Sequence, residues 1–115
     1  MSETTIYIVD RVVLHPGSAP AFIDAYKREY APRARQRGLH LDRILVSPPA
    51  WIEGEVNIVT VTWAVNGTQE WWSAAIKGRH DSGAADWWAA MSPMIVERSR
   101  SMAANTYDVE DLCNV

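Results

Sequence analysis

The sequence predicts an α+β domain with the element order β-α-β-β-α-β, the ferredoxin-like arrangement of an antiparallel sheet with helices on one face. Three observations predict it. Residues 6–14 and 55–65 are rich in β-branched side chains, which is typical of strands. Residues 19–37 repeat aromatic side chains every four positions, as an amphipathic helix does. The length of 115 residues is that of one domain, so we expect a single domain over residues 1–115.

The first helix, over residues 19–37, has recognisable signals at both ends. Ser18 is a suitable N-cap, and Gly38 ends the helix because glycine readily adopts the left-handed conformation of a C-cap. Pro32 should kink or divide the helix near Tyr30, since proline donates no backbone hydrogen bond. One face of this helix carries the aromatic residues Phe22, Tyr26 and Tyr30.

The remaining elements follow from the same kinds of signal. They are a second strand over residues 39–47, a third over 55–65, a short helix over 69–77, a longer helix over 84–103 and a short edge strand over 106–112. The polar, glycine-containing residues 78–83 break the second helical part in two, and Pro93 predicts a kink in the longer helix. The predicted fold is therefore ferredoxin-like with a broken second helix.

One face of such a sheet lacks a covering layer, and this predicts self-association. Four strands with helices on one side leave the other side bare, and a second copy related by a two-fold axis covers it most simply. A chain of this size buries only about two thirds of its unfolded surface, so further burial would stabilise it. We expect a homodimer.

Charge and composition exclude several classes of partner. Fourteen acidic against eleven basic residues give a net charge of −3, which does not favour nucleic acid or an anionic membrane. No stretch is apolar over a length that spans a bilayer, and the first five residues lack the features of a signal peptide. The single cysteine, Cys113, has no internal partner for a disulfide, which fits a reducing compartment. We therefore expect a cytoplasmic protein.

Six tryptophans, four of them in the adjacent pairs Trp71-Trp72 and Trp87-Trp88, indicate either an interface or an apolar pocket. Neighbouring residues on a helix point about 100° apart, so both members of a pair do not enter one pocket easily. We assign the inner position to Trp72 and Trp88, and the alternative is that the rings simply form the core. The predicted walls of the substrate pocket are Phe22, Tyr26, Tyr30, Trp63, Trp72, Trp88 and Met91.

The candidate catalytic residues are His40, Tyr26 and Asp10. Imidazole titrates near neutral pH, so His40 in the second strand is the predicted acid or base. Tyr26 or Asp10 would polarise a substrate oxygen or orient the ring of His40. Asp10 and His40 lie on strands that the third strand separates, so they require a diagonal contact, which Thr60 or Thr62 could bridge. His80, in the helix break, is either part of a loop that closes over the substrate or an ordinary solvated residue.

No metal or cofactor is predicted. The three histidines are 25 and 40 residues apart and form no local chelating pattern, and the sequence contains no glycine-rich phosphate loop. Haem with His80 as its axial ligand is a minor alternative.

Several short motifs extend over the predicted elements. They are Leu14-His15-Pro16-Gly17 after the first strand, Thr62-Trp63 in the third strand, Trp71-Trp72, and the run Asp86-Trp87-Trp88-Ala89-Ala90-Met91-Ser92-Pro93-Met94. With these motifs the chain, from residue 6 to about 112, resembles the dimeric α+β barrel superfamily, and within it the NIPSNAP-like and antibiotic-biosynthesis-monooxygenase-like domains. The resemblance implies a dimeric α+β barrel. It implies no single activity, because the superfamily includes cofactor-free monooxygenases, haem-degrading enzymes, isomerases, lyases and proteins of unknown role.

Our leading hypothesis is a cofactor-independent enzyme that acts on a hydrophobic, cyclic small molecule by acid–base proton transfer. The reaction would be an isomerisation, a cyclisation, or an elimination or addition of water. One alternative is a cofactor-free monooxygenase that acts on an aromatic substrate. The other is a dimer that binds a hydrophobic ligand without catalysis.

Overall fold

The computed structural model describes residues 4–113 and has the predicted fold class. Residues 1–3, which belong to the segment used to judge a signal peptide, and residues 114–115 lie outside the described part. A four-stranded antiparallel sheet with the strand order β2-β3-β1-β4 carries helices on one face. The strands are β1 (Thr5–Leu14), β2 (His40–Ser47), β3 (Asn57–Asn66) and β4 (Ile95–Ala104).

Five α-helices and three short helical turns complete the described chain. The α-helices are α1 (Ala19–Ala25), α2 (Ala31–Gln36), α3 (Gly67–Arg79), α4 (Ser82–Met91) and α5 (Val109–Cys113). A π-helical turn, Tyr26–Tyr30, joins α1 to α2, and 3₁₀ turns occupy Ser92–Met94 and Thr106–Asp108. The predicted break in the second helical part is confirmed, since α3 ends and α4 begins within three residues of each other.

The first helix is continuous but changes its winding where the kink was expected. The backbone N–H of Ala31 bonds to the carbonyl of Tyr26, five residues earlier, instead of four. Pro32 follows at once, in the first turn of α2, where its missing N–H costs least. Gly38 adopts a positive φ of 94°, as a C-cap glycine does. Tyr26 and Tyr30, at the two ends of the π-helical turn, both remain buried against the sheet.

The core lies between the central strands and the helix pair α1–α2. Alternate residues of β1 and β3 point toward the helices and are buried, whereas their neighbours face the other side of the sheet. The largest fully buried side chains are Trp63, Tyr26, Tyr30, Phe22 and Leu14. Asp10 lies among them on β1 with 1 % of its surface exposed.

The C-terminal third differs from the prediction. The helix expected over residues 84–103 ends at Met91, and β4 pairs antiparallel with β1 in its place. Pro93 ends the helix instead of kinking it, and the β-branched pair Ile95-Val96 begins the strand. The strand predicted over residues 106–112 is instead a 3₁₀ turn followed by α5. The sequence did not predict β4, because an edge strand needs no apolar face and this segment carries polar residues such as Arg98 and Arg100.

No helix in the described part of the chain combines the length and the hydropathy of a bilayer-spanning segment. The cytoplasmic location stays a prediction.

Candidate functional site: a cavity beside the edge strand

A cavity of about 540 Å³ opens between α3, α4 and the half of the sheet formed by β1 and β4. It exists because α1 and α2 cover β3 and β1 but leave the helix-facing side of β4 largely exposed. The apolar part of its lining includes Ile8, Leu39, Trp71, Ala74, Ala84, Trp88 and Met102. The polar part includes Tyr30, Arg37, Arg79, Asp81, Arg98 and Arg100.

A hydrogen-bond network centred on the buried Asp10 lies beside this cavity. Arg100 on β4 is paired directly opposite Asp10 on β1, and its guanidinium binds both carboxylate oxygens, with Nε at 2.6 Å and Nη2 at 3.0 Å. The Tyr26 hydroxyl donates to the same carboxylate at 3.0 Å. The indole N–H of Trp63 in turn donates to the Tyr26 oxygen at 2.6 Å. The carboxylate is therefore buried with its charge compensated.

The network continues through Tyr30 into the helix break. The Tyr30 oxygen accepts from Arg100 Nη2 at 2.6 Å and from Arg37 Nη2 at 3.0 Å. Arg37 Nη1 donates to Asp81 at 3.3 Å, and Arg33 Nη1 donates to the other oxygen of Asp81 at 2.8 Å. Asp81 also caps α4, because its side chain accepts the backbone N–H of Ala84. One chain of polar contacts thus connects Asp10 in the sheet to the break between α3 and α4.

Two groups of the network have strongly shifted proton affinities. Burial raises the pKa of the Tyr26 hydroxyl far above its usual range, and the negative charge of Asp10 raises it further. Burial alone would lower the pKa of Arg100, but the hydrogen bonds and the charge of Asp10 raise it above its ordinary value. Tyr26 is therefore neutral and Arg100 charged at physiological pH.

Tyr30 is the tyrosine of this network that belongs to the cavity lining, and it exposes only 1 % of its surface. Its oxygen already accepts from two guanidinium groups, and among the described residues no acceptor takes its own proton. The O–H group therefore has no acceptor within the described part of the chain. The two adjacent cations would stabilise negative charge on the oxygen after the proton had left.

The structure brings part of the predicted pocket together. Tyr30 and Trp88 line the cavity. Phe22, Tyr26 and Trp63 do not, because they pack against one another and against Trp87 and fill the core between helix and sheet. Half-buried Met91 packs against the same core and is not part of the lining.

Among the paired tryptophans, the inner position on α3 belongs to Trp71. Trp71 lines the cavity, whereas Trp72 is 53 % exposed and points to solvent. Both members of the other pair, Trp87 and Trp88, are buried, Trp87 by packing on Phe22 and Tyr30. A spacing of 100° predicts that neighbours diverge but not which of them points inward, because that depends on how the helix is rotated on the sheet.

The structure separates His40 from the other predicted catalytic residues. His40 is paired with Ala64 on β3, which faces away from the helices, and it is exposed on the open side of the sheet. Asp10 points to the helix side and is occupied by Arg100 and Tyr26, so no Asp10–His40 pair forms. Thr62 bonds to Asp42 instead of bridging such a pair. His80 is exposed in the helix break and does not line the cavity.

The arginines of the cavity were missed by the sequence interpretation. Arg98 and Arg100 are two residues apart, a spacing that places both on one face of a strand, but their segment was assigned to a helix. Arg37 was only the last residue of the predicted first helix and was given no role, yet it is buried, with 7 % of its surface exposed. Among residues 4–113, no group of three or more histidine, cysteine or acidic side chains is arranged to hold a metal ion.

No protein-family model and no curated protein sequence matches the chain. Solved structures do match it. A crystal structure of a NIPSNAP-family protein with unknown function from Agrobacterium tumefaciens superposes with a TM-score of 0.68 at 13 % identity, over 90 % of this chain and 89 % of that one. An uncharacterised NIPSNAP-like domain protein from Burkholderia xenovorans gives 0.70 at 12 % identity, over 90 % and 87 %. The chain therefore has the same fold as these two proteins.

A further solved structure shares this fold. A putative antibiotic biosynthesis monooxygenase from Nitrosomonas europaea superposes with a TM-score of 0.59 at 12 % identity, over 93 % of this chain and 95 % of that one. The resemblance seen in the sequence is thus confirmed at the level of the fold. Identities this low carry no information about the reaction.

Proposed function

We propose that this protein is a cofactor-independent enzyme that binds a hydrophobic small molecule in the cavity beside β4 and catalyses a proton transfer. The observation that carries the proposal is that Tyr30, a buried residue of the cavity lining, accepts hydrogen bonds on its oxygen from both Arg100 and Arg37. The volume of about 540 Å³ is within the usual range for small-molecule sites. His40 lies outside this arrangement, so Tyr30 takes the role of the acid.

The proposed step is an enolisation or a related isomerisation. Tyr30 gives its proton to a carbonyl oxygen of the substrate, and water at the open side of the cavity removes the proton from the adjacent carbon. Arg100 and Arg37 stabilise the phenolate until solvent returns a proton to it. The net change moves one proton from carbon to oxygen and requires no oxidant or reductant. Cyclisations and eliminations of water use the same acid.

The test measures deuterium exchange from D₂O into the carbon next to the carbonyl in 2-tetralone and in phenylpyruvate, followed by proton NMR. The first probe is a neutral bicyclic ketone, and the second is an aromatic keto acid. We expect the protein to accelerate exchange in at least one of them, and Tyr30→Phe to lower that rate on the order of 10²-fold, which is typical for the loss of an acid–base group. Tyr107→Phe is the matched control, because Tyr107 is 78 % exposed and outside the cavity.

Equal rates for Tyr30→Phe and Tyr107→Phe, or no acceleration of either probe, would contradict the proposal. Binding of the probes without any exchange would favour the non-catalytic ligand-binding protein. The Tyr30→Phe variant should fold, because the ring retains its packing on Tyr26 and Trp87.

The second candidate is a cofactor-free monooxygenase; the Nitrosomonas europaea protein, described as a putative monooxygenase, shares the fold but not the sequence. The aromatic side chains around the cavity suit a flat, electron-rich substrate for either reaction. Consumption of dioxygen by the protein with such a substrate, followed with an oxygen electrode, would favour the monooxygenase over proton transfer.

The proposal includes a homodimer formed through the sheet face that points away from the helices. Tyr7, Val9, Ile58 and Leu45 present apolar surface on that face, beside polar residues such as Thr60. Two copies paired there would bury both sheets and leave the cavities on the outer layers.

A further inference from the structure

The cavity beside β4 has a charge opposite in sign to that of the whole chain. Four arginines and one aspartate belong to its lining, and with Asp10, which pairs with Arg100, counted as well, the surplus is two positive charges, whereas the net charge of the chain is −3. A concave site with a concentrated positive charge attracts anions and repels cations. A purely apolar substrate gives no reason for this surplus.

The surplus resides on particular side chains. Asp10 neutralises Arg100, and Asp81 is shared between Arg37 and Arg33. The other two arginines of the lining, Arg98 and Arg79, have no carboxylate within salt-bridge distance among residues 4–113. These two are therefore available to an anionic ligand.

Arg98 is held in an orientation that suits such a ligand. Its guanidinium carbon lies 4.1 Å from the centre of the Trp88 ring, and stacking of this kind fixes the plane of the guanidinium while its N–H groups remain free at the edge. Arg98 and Arg100 share one face of β4, since they are paired with Val12 and Asp10 on β1. Arg100 uses Nε and Nη2 in the network, and its Nη1 makes no hydrogen bond within the described residues.

Part of the remaining lining is apolar. Trp71, Ala74 and Ala84 belong to α3 and α4, and Ile8 belongs to β1. We infer that the ligand is an amphipathic carboxylate, with a ring system against these apolar residues and an anionic group bound by Arg98 together with Nη1 of Arg100. The inference rests on the proposed function only in that it uses the same cavity.

Isothermal titration calorimetry of the full chain with 2-naphthoate and 2-naphthamide tests the inference. The two probes share one bicyclic ring and differ in charge. Because charge-assisted hydrogen bonds are worth more than neutral ones, we expect the protein to bind 2-naphthoate about tenfold more tightly than 2-naphthamide. In Arg98→Gln we expect the preference to fall to about threefold or less, since a single guanidinium remains. The matched control is Arg28→Gln, because Arg28 pairs with Asp24 outside the cavity, and it should keep the full preference.

Equal binding of the two probes, binding of neither, or an unchanged preference in Arg98→Gln would overturn the inference. Arg98 is exposed and makes no hydrogen bond within the described residues, so its replacement should leave the fold intact. Arg79→Gln removes the other lining arginine that has no carboxylate partner in the described chain, and it provides a second variant with a smaller expected loss of preference. Exchange of 2-tetralone without any preference for the carboxylate would defeat this inference alone. A strong preference without exchange of either ketone would defeat the proposed function alone.

Discussion

At the scale of single residues, the polar centre of the molecule is a carboxylate buried without loss of its charge. Asp10 accepts three hydrogen bonds, two from Arg100 and one from Tyr26. The loss of one partner of a fully buried ion pair typically costs about 3–5 kcal/mol, and the cost is lower here because the Arg100 side chain is 40 % exposed. The indole N–H of the fully buried Trp63 donates to the Tyr26 oxygen. This hydrogen bond holds the Tyr26 hydroxyl in place and satisfies the indole donor. The network therefore joins β1, β4 and the π-helical turn.

The raised pKa of Tyr26 leads to a prediction for alkaline pH. Above pH 10 the unfolded chain releases the Tyr26 proton, because its tyrosine has an ordinary pKa of about 10, whereas the folded protein keeps this proton. The associated stabilisation is complete below pH 10 and is lost as the pH rises above that value, by about 1.4 kcal/mol per pH unit. Tyr26→Phe should remove this slope from the free energy of unfolding, measured by urea titrations between pH 9 and pH 11.5.

Tyr107→Phe is the control and should leave the alkaline slope unchanged, because the Tyr107 ring is mostly exposed. Tyr26→Phe also leaves Trp63 without its acceptor and destabilises the protein at every pH. For that reason the slope is the quantity to compare. Parallel pH profiles for wild type and Tyr26→Phe would show that the Tyr26 proton is not held as described.

At the scale of elements, Asp81 holds the broken helix in place. It caps α4 through the N–H of Ala84 and binds Arg33 and Arg37 from α2 and its end. Asp81→Ala should destabilise the protein by about 1–2 kcal/mol, the usual cost of a lost N-cap, and free Arg37 from one of its partners. Amide hydrogen exchange over residues 82–91 should accelerate more than exchange in β1 and β3.

The matched control is Asp86→Ala, since Asp86 is exposed on the same helix and caps nothing. It should change the exchange rates of α4 little. Uniform acceleration across the whole chain in Asp81→Ala, with no excess in α4, would contradict the local role of this residue.

The elements also show how far the sequence could lead. Period-two and period-four patterns were sufficient for β1, β3 and the first helix, because each buries one full face against the core. They failed at β4, where neither face is covered and exposed residues follow one another along the strand. The prediction of the candidate site was wrong at the same place. Arg98 and Arg100 belong to β4. Because their segment was assigned to a helix, the two arginines were not predicted to share a face that lines the cavity.

Long-range pairing accounts for the other part that the sequence did not predict. Tyr26 and Asp10 were both predicted as catalytic residues, but their contact with each other depends on how the helix is positioned on the sheet. The contact of Asp10 with Arg100 depends on the pairing of β1 with β4. The direction of His40 was decided by the register of β2 against β3, which shifts between Leu41 and Arg43. A one-residue shift reverses the face on which a side chain lies.

At the scale of the whole molecule, the single chain is flat and has more surface than a compact monomer. Its extents are 48 × 30 × 19 Å and its radius of gyration is 15.2 Å, whereas a compact domain of this length has about 13 Å. It exposes 7179 Å², and a monomer of 12.9 kDa is expected to expose about 6300 Å². The excess is close to the ~800 Å² that each partner buries in a standard interface. The proposed homodimer would bury this surface at the open face of the sheet.

Leu45 provides the test of this dimer. Its side chain is 55 % exposed and lies opposite Thr60 on the open face of the sheet, so a charge there does not disturb the core of the monomer. We expect light scattering after size exclusion to give about twice 12.9 kDa for the wild type and 12.9 kDa for Leu45→Arg at micromolar concentration. Two symmetry-related arginines at a desolvated interface should raise the dissociation constant at least about tenfold. Ile76→Arg, at a 50 % exposed position on α3 on the helix side, is the matched control and should remain dimeric. A monomeric wild type, or dissociation by Ile76→Arg but not by Leu45→Arg, would exclude the open sheet face as the interface.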